Sequence, residues 1–385
     1  MSPAIGFPAT DMDDMEEGTW EVLKAMEAEM LRHSPMERRD LRWGPNGKLV
    51  PISSVWPGNV DASLLCRKRR QRQKQSRKAS TSRQEASLPP APPPPDRLGR
   101  VVREQELRKT VLRDACRENM EAFPQDKQSS DKHIKTVLHQ LLVDDEHGFI
   151  YCFIPKVACT NWKRFMHALK EGEPYPDLMS IPCSKANNPK GLPSLASFSK
   201  VEMEAKLKHY TKFMFVREPL VRLISAFRNK LLSLNQFYYQ GLGRLLLRRY
   251  GNLSDPPLTV KEAVASGIQP TFYHFVQHLL NSTSHMSDYH WKQFYRLCQP
   301  CYIEYDFIGH QETLDEDALE VLTSLNVEKL IKFPPAYQNA TSPATLSKWL
   351  KEVPLEDRRK LYELYKKDYQ LFGYEPPYTL LNITQ

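Results

Sequence analysis

The clearest pattern of apolar and polar positions runs from Gly148 to Leu169, GFIYCFIPKVACTNWKRFMHAL. Phe149, Ile150, Tyr151, Phe153 and Ile154 form a short apolar run of strand-favouring residues, as a buried strand requires. Pro155 ends it, since proline has no N–H for a central ladder. Trp162, Phe165, Met166 and Leu169 then recur at helical spacing. The stretch predicts strand, loop, helix. A second such unit follows, with a strand over Lys212–Val216 and a helix over Pro219–Leu234, where proline suits the first turn. Tyr302–Ile308 alternates as a third strand. Helical patterns cover Val101–Met120, the stripe Ile134, Val137, Leu138, Leu141, Leu142, and Val201–Leu207, Gln236–Arg249, Val260–Ala265 and Thr271–Leu280. His290–Cys298, Asp315–Leu325 and Leu355–Phe372 complete them. Strands alternating with helices predict an α/β fold, a P-loop-like parallel sheet covered by helices on both faces.

Before this region the pattern changes. An amphipathic helix is predicted around Trp20, Val22, Leu23, Met26 and Met30. Arg67–Lys78 is a basic run, and Leu88–Pro95 (LPPAPPPP) must be extended. The chain up to about Arg97 cannot bury a core. Residues 1–131 are therefore expected to be a largely disordered, stem-like region, and residues 132–385 a catalytic domain. The 385 residues carry a net charge of +8 and 30 prolines, with a mean hydropathy of −0.56. Such a balance favours a polyanionic partner without choosing among nucleic acid, acidic membrane and acidic polysaccharide. No stretch approaches the roughly 18 apolar residues a membrane span needs. The acidic start (Asp11, Asp13, Asp14, Glu16, Glu17) is unlike a signal peptide.

The loop after the first strand is where chemistry is expected. The first N–H groups of a helix lack intrahelical partners, and the macrodipole adds partial positive charge there. Lys156 brings a full charge and Thr160 a hydroxyl. The glycines of GxxxxGK[ST] are absent, so a phosphate-like ligand is expected, held otherwise than ATP in a P-loop. An ordinary βα turn with a surface lysine is the alternative. The second unit repeats the arrangement, with Arg217 at the strand's end and Ser225 in the helix. Two anion sites at one sheet edge suit a ligand with two separated anionic groups. The long Pro-, Asn- and Ser-rich loop Gly172–Leu195 beside them is expected to face substrate.

At these residues the chain resembles the HNK-1-type Golgi carbohydrate sulfotransferases, and among them the chondroitin 4-O-sulfotransferases. PKVACTNWKR is similar to their 5′-phosphosulfate loop, and FVREPLVRLISAF to their 3′-phosphate motif. HWKQFYRLCQPC, YDFIGHQETLDEDA and LYELYKKDYQLFGY match in order, so the resemblance spans about Leu138 to Tyr374. It implies 3′-phosphoadenosine-5′-phosphosulfate as donor, no metal, and a galactosamine acceptor in chondroitin or dermatan. It places Lys156, Val157, Ala158, Cys159, Thr160, Asn161 and Trp162 around the 5′-phosphosulfate, and Arg217 and Ser225 at the 3′-phosphate. Sulfuryl transfer is an in-line displacement like phosphoryl transfer, dominated by positioning and charge stabilisation. Lys156 can neutralise the leaving phosphate oxygen, and Arg217 offers a bidentate fork. The family also implies a lumenal domain held to the Golgi membrane by a span, which no stretch of this sequence supplies.

His290, in HWKQF, is the first candidate for a general base, with a structural histidine as the alternative. His209 is a weaker one, and a glutamate base is a further alternative that the sequence does not place. Cys298 and Cys301 are expected in structural disulfides, with each other or with other cysteines among the chain's seven, and Cys159 as a small buried residue. The N-x-[ST] sequons at Asn252, Asn281, Asn339 and Asn382 favour a secretory lumen. Lys163, Arg164, Arg228, Arg244, Arg248 and Arg249 could grip an acidic polysaccharide or simply be solvated. The competing class is a nuclear, nucleic-acid-binding protein using Arg67–Lys78 beside a degenerate nucleotide fold.

Overall fold

The computed structural model describes residues 41–43, 49–51, 97–118, 137–188, 191–281, 288–334 and 343–382. The helix expected around Trp20, the basic run, the Pro-rich stretch and Asn339 lie outside the described residues. Two short strands, β1 (Leu41–Trp43) and β2 (Leu49–Pro51), pair antiparallel with each other.

Leu98–Gln385 is built on a four-stranded sheet of β3 (Leu141–Asp144), β4 (Phe149–Cys152), β5 (Thr211–Val216) and β6 (Phe307–His310), in that order. β4, β5 and β6 run parallel, so the chain leaves all three at one edge. The expected all-parallel sheet needs one correction: β3 pairs antiparallel with β4, and the sheet is mixed. Leu141 and Leu142, read as part of a helical stripe, belong to this strand. Leu141, Leu142 and Val143 are all buried, and a short continuous apolar run does not distinguish strand from helix. β6 also starts later than the expected Tyr302–Ile308. Tyr302 and Ile303 both donate to the carbonyl of Gln299, which keeps that segment in turns, and pairing begins where Asp306 donates to Lys212 O.

The period-2 alternation of the strands decides which helix covers which face. Phe149, Tyr151, Phe213 and Phe215 share one face. Trp162 and Phe165 of α2 (Cys159–Glu171) pack onto it, with ring centroids of Trp162 at 5.9 Å from Tyr151, 5.0 Å from Phe213 and 4.8 Å from Phe215. Cys152 points the opposite way and is disulfide-bonded to Cys298, so the short helix Phe294–Cys298 covers the other face. Gly309 lies in register with Phe215, and a Cβ there would come within 2.2 Å of that ring. The aromatic layer thus needs glycine at this position.

α1 (Arg97–Glu118) falls on the stem side of the expected boundary at residue 131, and it docks on the free edge of β6. Gln105 both donates to and accepts from the backbone of Ile308, at 3.1 and 3.0 Å, as a neighbouring strand would. Arg108 forms a buried ion pair with Asp317 at 2.8 Å and also donates to Ile308 O and Thr313. A second disulfide, Cys116–Cys301, fastens the helix's end. Cys298 and Cys301 are therefore both bridged, each to a distant cysteine and not to one another.

A helical layer beside the sheet supplies the rest of the core. It contains α3 (Pro219–Lys230), α4 (Phe272–Asn281), α7 (Pro343–Lys351) and α8 (Leu355–Phe372), with α5 (Phe294–Cys298) packed on α8 and α6 (Leu314–Ser324) packed on β6. Phe227, Phe272, Phe275, Leu350, Leu361 and Tyr365 interlock within it. α8 has the bounds its pattern predicts, set between Pro354 and a left-handed Gly373. Among the described residues no helix is long and apolar enough to cross a membrane.

Candidate active site

The chain passes from β4 to α2 through Pro155–Ala158. Lys156 (φ 76°) and Ala158 (φ 59°) are left-handed without being glycine. Such residues cost roughly 1–3 kcal/mol each and gather at functional sites. No side chain caps α2, and its first turn holds no acidic residue. Its leading N–H groups are thus offered to a ligand, as an anion site requires. Val157 is buried beneath the loop. Cys159 is half-buried and free. Thr160 stays at the surface edge, where its hydroxyl accepts from Asn187 at 3.5 Å. Asn187 belongs to the loop expected to face substrate; that loop packs on the flank of α2, with Ile181 O accepting from Arg164 at 2.9 Å.

Around the loop stands an assembly of cations. Burial lowers Lys156 to about 8; Cys159 opposes the shift, and the charges of Lys230, Arg217 and Arg222 add to it. Arg222, 1 % exposed, spends its guanidinium on three carbonyls: Pro155 at 3.0 Å, Lys292 at 2.7 Å and Tyr289 at 2.7 Å. Burial lowers it to about 10, with Tyr365 and Asp368 opposing. Mutually repelling cations concentrated at an uncapped helix N-terminus are chemically suited to a multiply charged anion.

The second strand–helix unit is built differently. Glu218 caps α3 with its own carboxylate, which accepts from Val221 N–H and from the hydroxyl of Tyr369. The helix end is therefore already occupied. What the unit offers is Arg217, buried and turned to the neighbouring loop, where it donates to Lys156 O at 3.2 Å. Burial lowers Arg217, opposed by Glu312, Glu218 and Tyr374, while Arg228 adds to the effect. Arg228 follows Ser225 by three positions and so shares its helix face. Arg217 feels the charge of Arg228 while touching the first loop. Asp306, near the start of β6, accepts from Lys212 N–H at 2.8 Å.

His290 stands where the loop before α5 meets this assembly. Its Nδ1 lies 2.7 Å from Asp288 Oδ1, which also accepts its backbone N–H at 2.8 Å. The hydroxyl of Tyr238 donates to Asp288 Oδ2 at 2.8 Å and lies 3.1 Å from Nδ1. Burial lowers His290; Asp288 opposes this, and Lys230 and Arg222 reinforce it. The same two cations act on Lys156, so His290 and Lys156 face one electrostatic centre. Lys230 sits over the face of Tyr238 at 4.8 Å.

The structure thus brings Lys156, Thr160, Arg217 and His290 to one edge, with Ser225 half-buried on α3. It does not bring Trp162 there. That side chain is fully buried in the aromatic layer, also touching Phe333. Asn161 is buried and accepts from Arg164 at 3.2 Å. Arg164 is likewise a buried structural residue, and Lys163 lies over Phe153 at 3.7 Å. Sequence reasoning missed Arg222, Lys230, Tyr238 and Asp288. Only Asp288 left a trace, a carboxylate two positions before His290. The three later motifs meet in space: Asp368 of α8 accepts from Phe294 N–H and Tyr295 N–H, Tyr365 donates to Trp291 O at 2.6 Å, and the hydroxyl of Tyr374 donates to Glu312 at 2.9 Å.

The chain belongs to the sulfotransferase family, whose model matches residues 139–375 and therefore covers the sheet, the cation assembly and α8. It is a sulfotransferase. Carbohydrate sulfotransferase 12 of Mus musculus is 44% identical over 294 residues, 72% of this chain and 70% of the relative. Carbohydrate sulfotransferase 12 of Xenopus laevis is 43% identical over 295 residues, with the same coverage. Carbohydrate sulfotransferase 14 of Homo sapiens is 34% identical over 276 residues, 71% of this chain and 70% of the relative. No solved structure matches.

Proposed function

We propose that the protein transfers a sulfuryl group from 3′-phosphoadenosine-5′-phosphosulfate to the 4-hydroxyl of N-acetylgalactosamine in chondroitin. The observation that carries this reading is the cation assembly of Lys156, Lys230, Arg217 and Arg222 at the uncapped start of α2, with His290 at its rim. Lys156, Thr160 and the first N–H groups of α2 receive the 5′-phosphosulfate. Arg217 and the Ser225 face of α3 receive the 3′-phosphate. His290 is the general base. As the acceptor oxygen bonds to sulfur, its proton passes to His290 and the bond from sulfur to the bridging phosphate oxygen breaks. The electron pair stays on the phosphate oxygen beside Lys156.

The names of the relatives support a carbohydrate acceptor, and the resemblance of the motifs to chondroitin 4-O-sulfotransferases is what favours chondroitin. Two disulfides and exposed sequon asparagines at Asn252, Asn281 and Asn382 support work in an oxidising lumen, which we assign to the Golgi, with attachment to its membrane. Family membership leaves the nucleic-acid-binding alternative without support.

Labelled donor offered with chondroitin, dermatan and a glycoprotein bearing terminal N-acetylgalactosamine tests the assignment. Label at the galactosamine 4-position of chondroitin is expected. Transfer to the terminal sugar alone, or to dermatan alone, would replace the acceptor while keeping the chemistry.

A further inference from the structure

We propose that Asp288 and Tyr238 are positioning residues for the base. Asp288 fixes His290 with its proton on Nδ1, so that the bare Nε2 faces the acceptor hydroxyl, and Tyr238 fixes Asp288. The inference rests on reading His290 as the base.

The hydrogen bonds converge on Asp288, and the Tyr238 hydroxyl oxygen also lies 3.1 Å from His290 Nδ1. Asp288 Oδ1 receives both the backbone N–H and the Nδ1 of His290, and Oδ2 receives the Tyr238 hydroxyl. Burial pulls Asp288 upward, but His290 and Tyr238 outweigh it and hold the carboxyl below its usual range. An ionised carboxylate only accepts, so the facing Nδ1 carries hydrogen, and in the neutral ring Nε2 is the acceptor. Burial raises Tyr238, with Asp288 adding to the shift, so its hydroxyl remains a donor. The Tyr238 ring also stands edge-on to His290, centroids 5.9 Å apart at 88°.

A purely structural purpose, pinning the loop that carries His290, explains the cluster less well. That loop is already held from beneath: Arg222 binds the carbonyls of Tyr289 and Lys292, and Tyr365 binds that of Trp291. The Asp288–His290 contact adds no element that these bonds lack, but it sets the tautomer. Tyr238 is also where two halves of the site meet. Its ring face carries Lys230 of the donor-side assembly, and its hydroxyl serves the base. A π-helical turn, Tyr239–Gly243, follows it directly. Such turns recur at functional sites.

The groups facing His290 are Asp288 on its own loop, Tyr238 before the π-turn, and Lys230 and Arg222 on α3. Their signs give opposite expectations for two variants. Asp288→Asn removes the negative charge that favours the imidazolium, so the acid limb of kcat/KM moves to lower pH. Tyr238→Phe removes a hydrogen bond that spreads the carboxylate's charge, so the limb moves to higher pH.

The experiment is turnover with labelled donor and chondroitin from about pH 5 to about pH 9, beside calorimetric binding of 3′-phosphoadenosine-5′-phosphate. Asp288→Asn is expected to lower kcat by about 10²–10⁴-fold with nucleotide affinity unchanged. Tyr238→Phe should lower kcat by about tenfold or less, and Asp288→Glu should recover part of the loss. Turnover within about threefold of wild type in Asp288→Asn, with His290→Gln inactive, overturns the positioning role alone. Normal turnover in His290→Gln overturns the base reading and this inference with it. If Asp288→Asn fails to fold by circular dichroism, Tyr238→Phe decides, and an unmoved acid limb refutes the proposal.

Discussion

Raising the pH should loosen the site's hold on 3′-phosphoadenosine-5′-phosphate, and the effect should trace to Lys156. In the free protein, burial brings this ammonium to about 8, assisted by Lys230, Arg217 and Arg222 against Cys159. An anion bound against it favours the charged form and returns it toward its ordinary 10.5. Between those two values, binding takes up a proton, so affinity falls as pH rises. Below about 8 the ammonium is already charged and affinity is flat. By about pH 9.5 only about 3% of free sites carry the charge, so Kd should rise about 30-fold over its value near pH 7, or about 2 kcal/mol. Calorimetry from about pH 7 to about pH 9.5, in two buffers of different ionisation enthalpy, reads both the affinity and the proton uptake. Lys156→Arg should bind with a flat profile, because a guanidinium stays protonated throughout. A flat profile in wild type, or the same bend in Lys156→Arg, would refute the reasoning.

Arg217→Ala should weaken 3′-phosphoadenosine-5′-phosphate by about 1.5–3 kcal/mol and adenosine-5′-phosphosulfate far less, by calorimetry; equal losses would mean Arg217 does not read the 3′-phosphate. Asp317→Ala leaves the buried Arg108 guanidinium without its carboxylate and should destabilise the fold by about 3–5 kcal/mol in urea denaturation, whereas a loss under about 1 kcal/mol would mean α1 is not anchored through this pair. An N-glycan-removing enzyme should increase the gel mobility of protein from a secretory expression system, and the triple variant Asn252→Gln, Asn281→Gln, Asn382→Gln should reduce the shift; an unchanged shift would place glycans elsewhere.

The parts of this fold that could be read in advance are those whose cause is local. β4 and α2 are legible because a β-rich apolar run, a proline and a 3.6-residue repeat succeed one another. The same repeat put Trp162 in line with Phe165, Met166 and Leu169, toward the core, and the structure keeps it there while the motif placed it at the ligand. β3 was not legible, because three consecutive buried apolar residues carry no period. The disulfide partners were not, since Cys116 meets Cys301 only after α1 docks on β6, across 185 residues of chain. Lys230 and Tyr238 were equally hidden. Each is an ordinary half-exposed residue in sequence, and its proximity to Lys156 or His290 exists only once α3 and the π-turn are in place.

Arg222 shows why a charge can be both illegible and central. It sits near the start of α3 among Leu220, Val221, Leu223 and Ile224, where a cation would be expected to reach for solvent. It is instead buried against the Phe294 ring at 4.8 Å and bound to three carbonyls. One of them, Pro155 O, opens the loop of Lys156; the other two, Tyr289 O and Lys292 O, flank His290. A single planar guanidinium therefore ties the loop of Lys156 to the loop of His290. Lysine could not do this, since a point ammonium on a flexible stem lacks the rigid fork that reaches both loops at once. Carbonyl dipoles satisfy its hydrogen bonds without cancelling its charge, which remains available to Lys156 and His290 as field. In-line transfer depends on holding donor and acceptor groups at a set distance in a site already polarised for the leaving anion. If Lys156 faces the donor and His290 the acceptor, as proposed above, one buried arginine meets both requirements.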